Sequence, residues 1–597
     1  ERPEQWLSRL IFLLGPWVSF WMVEILNGND VFSDLYSWQV LMNLIWYYLL
    51  FLLCRLILGR RRRAAATAAG LSFFVGIVNH YVLRFRGRIL FPADLTAWET
   101  AANVADAFDF SLDAAIRQGA VLLVAYLFLV WMCVPQRKRD KLPRWLAGLL
   151  VLVEVGYCFV FFKTEALPAL GIYTQQWVTQ ANGFLLNFTV ALRYSSLDKP
   201  EDYSRGQVLE LMESYPTEAG DPAARPTNII VVMNESFADL TIFEGLEVSE
   251  DPTPFLHSMK ENTVRGWMYS PVTGGGTASV EFEYLTGFST IFQPPHTVAY
   301  QLYAEEGMPS LAALAGSVGY DSTAFHPYKS SGWNRPIVYE DMRFDHQLYE
   351  EDVTAPYLIR RYVSDQSDYE TLYSITDRAE GDPAFIFNVT MQNHSSYAQG
   401  WNNLEKTITL PTEQRTADTT AEQYLSLMRA SDDALRDLIA HYEQSPEPTM
   451  IVFFGDHQPG FSDWLFEATH DGAAADDLGL EAVQERYTVP YLIWANDAAR
   501  AQGAHEPQGV AHERTSLNYL GSRLVEAAGL PTTSYQRFLL AMREAVPAIN
   551  LNGFLTADGI WHGFGNEEAA GVLDALQAYA TVQYDNLFNK DSAWAVK

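Results

Sequence analysis

Asn228-Ile-Ile-Val-Val-Met-Asn-Glu-Ser236 decides how the second half of this chain is read. A short, continuous apolar run rich in β-branched residues, ending abruptly in polar ones, predicts a strand buried on both faces. The pattern returns in Ala384-Phe-Ile-Phe-Asn-Val389, Thr449-Met-Ile-Val-Phe-Phe454 and Val489-Pro-Tyr-Leu-Ile-Trp494. Helical stretches, such as Pro309 to Ala315 and Ala421 to Tyr442, lie between them. This alternation predicts an α/β domain with a largely parallel central sheet. Ligands of such sheets bind beyond the carboxyl ends of the strands. Glu235 follows the first run, His394 the second, and Asp456 with His457 the third. Polar candidates at three strand ends predict one cleft.

The first half is of another kind. Five apolar stretches, 6–27, 38–59, 67–83, 115–134 and 145–162, each approach the ~20 residues that cross a hydrocarbon layer. Trp and Tyr cluster at their ends. Basic loops set the orientation: Arg60 to Arg63 after the second stretch, and Gln136 to Arg144 after the fourth, are expected on the cytoplasmic side. The loop from Asn27 to Asp34 carries acids and no basic residue, as an outer loop would. The N-terminus is then inside and everything after residue 163 outside. Arg84-Phe-Arg-Gly-Arg88 is a basic exception on the outer side, either at lipid headgroups or in a solvated loop. Glu24 and Glu154 fall inside predicted spans, where acids mark functional sites or helix–helix contacts.

The expected division is a five-helix membrane domain over 1–163, an amphipathic linker over 164–225 and an outer α/β domain over 226–597. Trp177, Phe184, Leu185, Phe188 and Leu192 give the linker an apolar face suited to a membrane surface. Ala166-Leu-Pro-Ala-Leu170 is either a plain tether or a cleavage region. The chain opens with Glu1 rather than Met, so residues before it are expected to be missing. All three cysteines, Cys54, Cys133 and Cys158, lie in the membrane half, so the outer domain uses no disulfides. A formal net charge of −31 over 597 residues argues against a nucleic-acid partner gripped through its phosphates.

The chemistry gathers in four motifs. Gly455-Asp-His457 pairs a tight turn with two adjacent ligands. Their hard oxygen and imidazole, with Glu235 and no thiolate, suit Mn²⁺, Zn²⁺ or Mg²⁺. Thr277 closes Thr273-Gly-Gly-Gly-Thr277 and opens a helix predicted over Ala278 to Leu285. It reads as an N-cap or as a nucleophile beside a phosphate cradled by the glycines. Thr273, Ser279 and Ser236 are fallback nucleophiles. The stretch Phe325 to Arg335 carries His326, Lys329, Trp333 and Arg335. Arg335 can fork onto a phosphate, His326 can donate to the same oxygens, and Trp333 offers a face to a small polyol. Each of these also fits ordinary packing or surface.

Together Asn234-Glu-Ser236, Thr273 to Phe282, the His326/Trp333/Arg335 spacing, Asn393-His394 and Gly455-Asp-His457 resemble the lipoteichoic acid synthase family. Its members are membrane phosphoglycerol transferases with an extracellular sulfatase-like domain of the alkaline phosphatase superfamily. The likeness covers nearly the whole chain. It implies that Glu235, Thr277, Asp456 and His457 hold Mn²⁺, that Thr277 is the nucleophile, and that His326, Trp333, Arg335 and His394 surround glycerol phosphate. It implies phosphatidylglycerol as donor, a glycolipid or surface polymer as acceptor, and a multi-pass protein of a Gram-positive type of cell membrane. His394 is the candidate to protonate the leaving oxygen and then deprotonate the acceptor. Unlike some members, this chain has no lysine before the threonine, which leaves the exact substrate open. Phosphoethanolamine transfer and phosphohydrolysis are the alternatives on this fold. A sulfatase of the usual kind needs a cysteine or serine matured to formylglycine; the outer domain lacks cysteine, and threonine cannot serve.

Overall fold

The computed structural model describes residues 3–86, 89–90, 92, 112–134, 144–164, 166–169, 182–194, 197, 199–200, 203–293, 298–304, 307–330, 332–379, 381–395, 397–414, 420–504, 513–565 and 570–589. Residues 136–143 of the second basic loop, Arg88 and Trp177 lie outside them. The chain divides into two compact units, one built on Glu1–Leu197, the other on Asp198–Gln293 with Val298–Lys597.

In the first unit α1 (Pro3–Asn27), α2 (Ser37–Leu58), α3 (Arg61–Arg86), α4 (Ala114–Cys133) and α5 (Arg144–Lys163) match the five predicted spans. All five are long and apolar enough to cross a membrane. Small side chains let α3 approach its neighbours: Ala64, Ala65, Ala68 and Ala69 pack with Phe51, Tyr126 and Val130. A shorter amphipathic helix, α6 (Phe184–Tyr194), follows.

Glu24 of α1 is fully buried. Its Oε1 accepts the Phe184 N–H at 2.8 Å, and its Oε2 accepts from Asn29 at 2.7 Å and Asn27 at 3.3 Å. Asn43 of α2 accepts the Leu186 N–H at 2.9 Å and donates to the Asn182 carbonyl at 2.6 Å. Side chains of two spanning helices therefore satisfy two of the N–H groups that open α6, those of Phe184 and Leu186. Gly183 lies between them at φ +80°, where an added Cβ would meet Asn43 Nδ2 at 2.6 Å. Of the two readings of Glu24, the structure gives a helix contact.

The second unit is organised by one sheet of eight strands: β1 (Asn228–Asn234), β2 (Thr263–Tyr269), β3 (Asp321–Phe325), β4 (His346–Leu348), β7 (Ala384–Val389), β8 (Thr449–Gly455), β9 (Thr488–Ala495) and β10 (Glu513–Ser516). The order is β10-β2-β9-β8-β1-β7-β3-β4. Only β9 runs antiparallel to both its neighbours, β8 and β2. The four predicted runs are β1, β7, β8 and β9, and every residue of each is buried. A hairpin of β5 (Leu358–Ile359) and β6 (Tyr362–Val363) stands apart from the sheet. The helices that bear on the site are α7 (Thr277–Thr286), α8 (Asp365–Ala379) and α9 (Thr420–Glu443).

Register does the positioning. Asn234 pairs with Gly455, and Met233 with Val389. The chain beyond β1, β7 and β8 therefore leaves the sheet at one level, carrying Glu235, Asn393-His394 and Asp456-His457.

Replacing Glu24 with Ala removes the side-chain acceptor of the Phe184 N–H and the bond from the Asn29 amide. The first unit should lose about 1–3 kcal/mol, read as a lower unfolding midpoint in detergent and faster hydrogen exchange at Phe184. Glu24→Gln retains an acceptor oxygen and should lose much less.

Candidate active site

Glu235 enters the cleft because its own N–H donates to Thr390 Oγ1 at 3.1 Å and the next residue turns sharply, Ser236 having φ +50°. The Ser236 N–H donates to Asp456 Oδ1 at 2.6 Å, as does the His457 N–H at 2.7 Å. One carboxylate oxygen of Asp456 is thus spent on the backbone. The other, Oδ2, is buried and makes no hydrogen bond. It lies 3.3 Å from His457 Nε2, which is 3.9 Å from Glu235 Oε1.

The imidazole is oriented from behind. His457 Nδ1 is 2.9 Å from the Gln458 carbonyl, which only accepts, so Nδ1 carries the hydrogen and Nε2 faces the carboxylates. Burial pushes the Asp456 carboxyl up to about 7, with Glu235 adding repulsion and His457 opposing it. Burial alone would lower His457, but the two carboxylates outweigh it and raise it. Ligand atoms of Glu235, Asp456 and His457 lie within 4.8 Å of one another. Two buried acids, an imidazole lone pair and an oxygen without a partner fit a divalent cation with hard N/O preference.

Thr277 is the first residue of α7, and its Oγ1 donates to Glu235 Oε2 at 3.4 Å. Gly274, Gly275 and Gly276 all have positive φ, +70°, +145° and +98°, which a side chain would strain. A Cβ at Gly276 would also press on Val272 at 3.1 Å, so a lysine before this threonine has no easy backbone. The Gly274 N–H donates to the Gln458 carbonyl at 2.9 Å, the oxygen that orients His457. One carbonyl thereby couples the threonine loop to the ligand loop.

The remaining expected residues sit at the ends of β3 and β7. His326 is buried, and its Nδ1 donates to the Val389 carbonyl at 2.8 Å. Burial, with Arg335 beside it, holds this imidazole well below its usual range, hence neutral with Nε2 as acceptor. His394 is half-buried; its Nδ1 lies 3.0 Å from the Ser395 carbonyl and 3.2 Å from the Tyr362 hydroxyl. Trp333 and Asn334 both have positive φ, +57° and +61°. Arg335 departs from its expected use. Its Nε and Nη2 fork onto Glu281 at 3.1 and 2.6 Å, so that edge is not open to a phosphate. Glu281 lies one turn along α7 from Thr277 and also accepts from Tyr339 and Tyr300. Burial disfavours the Arg335 charge, but the Glu281 carboxylate outweighs that and raises it.

Sequence reading missed the layer beneath. Asn393 Nδ2 donates to Asn234 Oδ1 at 2.9 Å, joining the residue before Glu235 to the residue before His394. Asn234 Nδ2 and Ser431 Oγ both donate to Asp365 Oδ2, at 2.8 and 2.5 Å. Burial pushes the Asp365 carboxyl up to about 6 despite these donors. Asp365 opens α8 and Ser431 lies mid-way along α9, and neither sits in a local pattern that marks it.

If the acid pair and imidazole hold a cation, saturating Mn²⁺ should stabilise the chain by about 2.7 kcal/mol at a hundred times Kd. Thermal unfolding with and without Mn²⁺ measures this. Asp456→Asn should abolish the Mn²⁺-dependent rise.

Comparison with known proteins agrees with this architecture. The sulfatase family model matches residues 227–530, half of the chain. A putative cyclic beta-1,2-glucan modification protein of Rhizobium meliloti (strain 1021) is 27% identical over 568 residues, covering 89% of this chain and 83% of the relative. The lipoteichoic acid synthase-like YvgJ of Bacillus subtilis (strain 168) is 20% identical over 289 residues, 47% of this chain and 44% of the relative, which bears out the family resemblance. Among solved structures, the Streptococcus pyogenes phosphoglycerol transferase GacH in complex with sn-glycerol-1-phosphate superposes with a TM-score of 0.51 at 20% identity, over 65% of this chain and 95% of that one. At that identity the likeness is one of fold. The chain belongs to the sulfatase family.

Proposed function

We propose that the protein is a divalent-metal-dependent phosphoglycerol transferase. It would move glycerol phosphate from phosphatidylglycerol to a saccharide acceptor outside the membrane. The observation that carries this is the Thr277 hydroxyl, set at a helix N-terminus after three glycines and directed at Glu235 beside Asp456 and His457. A nucleophile, a cradle for an anion and a cation site are three parts of one phosphoryl-transfer centre.

Glu235, Asp456 and His457, with the Thr277 oxygen, would hold the cation. When bound, it lowers the pKa of the Thr277 hydroxyl and offsets charge on the phosphate. The hydroxyl gives up its proton along its line to Glu235 Oε2. The Thr277 oxygen then attacks phosphorus as the bond to the diacylglycerol oxygen breaks. The N–H groups opening α7 face the phosphate oxygens. His394, with Nδ1 directed at the Ser395 carbonyl, would deliver a proton from Nε2 to the departing diacylglycerol oxygen. A glycerophospho-threonine remains. His394 Nε2 then takes the proton of an acceptor hydroxyl, whose oxygen attacks the same phosphorus as the bond to Thr277 breaks, and the Thr277 oxygen recovers its proton from Glu235 Oε2. Neutral His326 contributes Nε2 as a hydrogen-bonding atom for the glycerol, and Trp333 a face for its carbons.

The donor is supported by GacH, a phosphoglycerol transferase bound to glycerol phosphate. The acceptor is supported by the Rhizobium relative, named as a glucan modification protein. That relative favours a saccharide over the lipid-linked polymer of a Gram-positive envelope. The five apolar helices fit a membrane anchor, and the loop charges favour a catalytic domain on the outer side.

Full-length protein in lipid nanodiscs with labelled phosphatidylglycerol and Mn²⁺ should release diacylglycerol. Intact-mass analysis should find a phosphoglycerol adduct on Thr277. Thr277→Ala should lose the adduct and slow release by roughly three orders of magnitude or more. An adduct of phosphoethanolamine mass from mixed lipids would reassign the donor. Unchanged release by Thr277→Ala would refute the nucleophile.

A further inference from the structure

The β5–β6 hairpin lies outside the central sheet, yet it is fastened to the loop that carries His394. Arg360, in its turn, has φ +57°, a conformation few side-chain-bearing residues adopt without a compensating constraint. Its guanidinium is almost fully buried. Nη2 donates to the Gln392 carbonyl at 2.6 Å and to the His394 carbonyl at 2.7 Å, so one nitrogen spans the backbone on both sides of Asn393. The Tyr362 and Tyr397 rings lie 5.4 Å from the same guanidinium. Asn403 holds the turn itself by donating to the Leu358 and Arg360 carbonyls.

The second fastening reaches the imidazole. The Tyr362 hydroxyl donates its single hydrogen to the Ser395 carbonyl at 3.0 Å. It accepts from Arg361 Nη2 at 2.6 Å and lies 3.2 Å from His394 Nδ1. Both neighbours of Nδ1, the Ser395 carbonyl and the hydroxyl oxygen, are then acceptors, so Nδ1 must carry a hydrogen. Nε2 is left to exchange the proton, and the ring can serve as acid and then as base at one atom.

We propose that the hairpin is the positioning element of the transferase. Arg360 fixes the backbone under His394, and Tyr362 fixes the ring and its tautomer, so that proton exchange runs through Nε2. Arg360 and Tyr362 are positioning residues that act through His394. This rests on the phosphoglycerol transferase reading.

The test separates protonation of the leaving group from mere integrity of the cleft. Diacylglycerol must receive a proton to depart; p-nitrophenolate need not. Full-length Tyr362→Phe keeps the ring and loses only the hydroxyl. With phosphatidylglycerol and Mn²⁺ its kcat should fall about 10–100-fold with KM and the unfolding midpoint unchanged. With p-nitrophenyl glycerol phosphate its first-turnover burst of p-nitrophenolate should match wild type. Arg360→Lys, which keeps the charge and loses the planar fork, should show the same selectivity. Equal loss on both donors, or no loss on either, overturns the positioning role. If wild type releases neither diacylglycerol nor p-nitrophenolate, the transferase reading itself fails and takes this role with it.

Discussion

Two parallel strand pairings set the geometry on which everything else rests. Asn234 lies opposite Gly455, and Met233 opposite Val389. Because parallel neighbours in register end at one level, the residues that follow them must share a space. Glu235 and Asp456 become neighbours although they are far apart in sequence. A slip of one residue between β1 and β8 would turn every side chain of β1 to the other face. The continuous apolar character of both strands prevents that only in part, since either face would be buried. Backbone bonds beyond the strands complete the alignment, because the Ser236 and His457 N–H groups both seek Asp456 Oδ1.

Such convergence carries an electrostatic cost. Carboxylates withdrawn from water prefer to take up protons, and Asp456 and Asp365 both move that way. The two acids are treated differently. Asp365 has amide and hydroxyl donors on one oxygen and serves as an internal anchor. Asp456 has spent one oxygen on the backbone; each acid keeps its second oxygen without a hydrogen bond, but that of Asp456 lies 3.3 Å from His457 Nε2, among the ligand atoms grouped with Glu235. A carboxylate grouped with a second acid and an imidazole is suited to an external cation, whereas one met only by neutral amide and hydroxyl donors is an anchor. The same distinction applies to Arg335, which Glu281 answers, and explains why its fork is not the open phosphate clamp that its spacing suggested.

How much of this was legible in the sequence follows from the kind of signal each feature leaves. β1, β7, β8 and β9 were readable because strands buried on both faces are continuous apolar runs. β2 was not, since Arg265, Gly266 and Trp267 leave its middle only half-buried. The reversal of β9 leaves no trace in composition. The five spanning helices were readable because length and hydropathy suffice to mark them. Glu235, Asp456, His457 and Thr277 could be named because they sit at strand ends or after a glycine run. Asp365, Ser431 and Arg360 could not. Their partners lie at sequence distances that no local period encodes. Glu281 did carry a local signal: it stands four residues beyond Thr277 on one helix face, where it was bound to share that residue's surroundings.

Part of the backbone strain lies at the same place. Ser236, Trp333, Asn334 and Arg360, four of the eight non-glycine residues with positive φ among those described, are at or against candidate site residues. Held strain of this kind costs of order 1–3 kcal/mol per residue. One fully buried Val or Ile contributes about 1.5–3 kcal/mol, and β1 alone buries Ile229, Ile230, Val231 and Val232 completely. Burial in β1 alone is therefore of the same order as the strain at its edge. Four unfavourable conformations persist at one end of a sheet because the strands beneath them, the Asn234–Asn393 bond and the Arg360 bridge leave the chain no relaxed alternative. The chain is therefore held firmly where a cation, a hydroxyl and a phosphate would have to meet within tenths of an ångström.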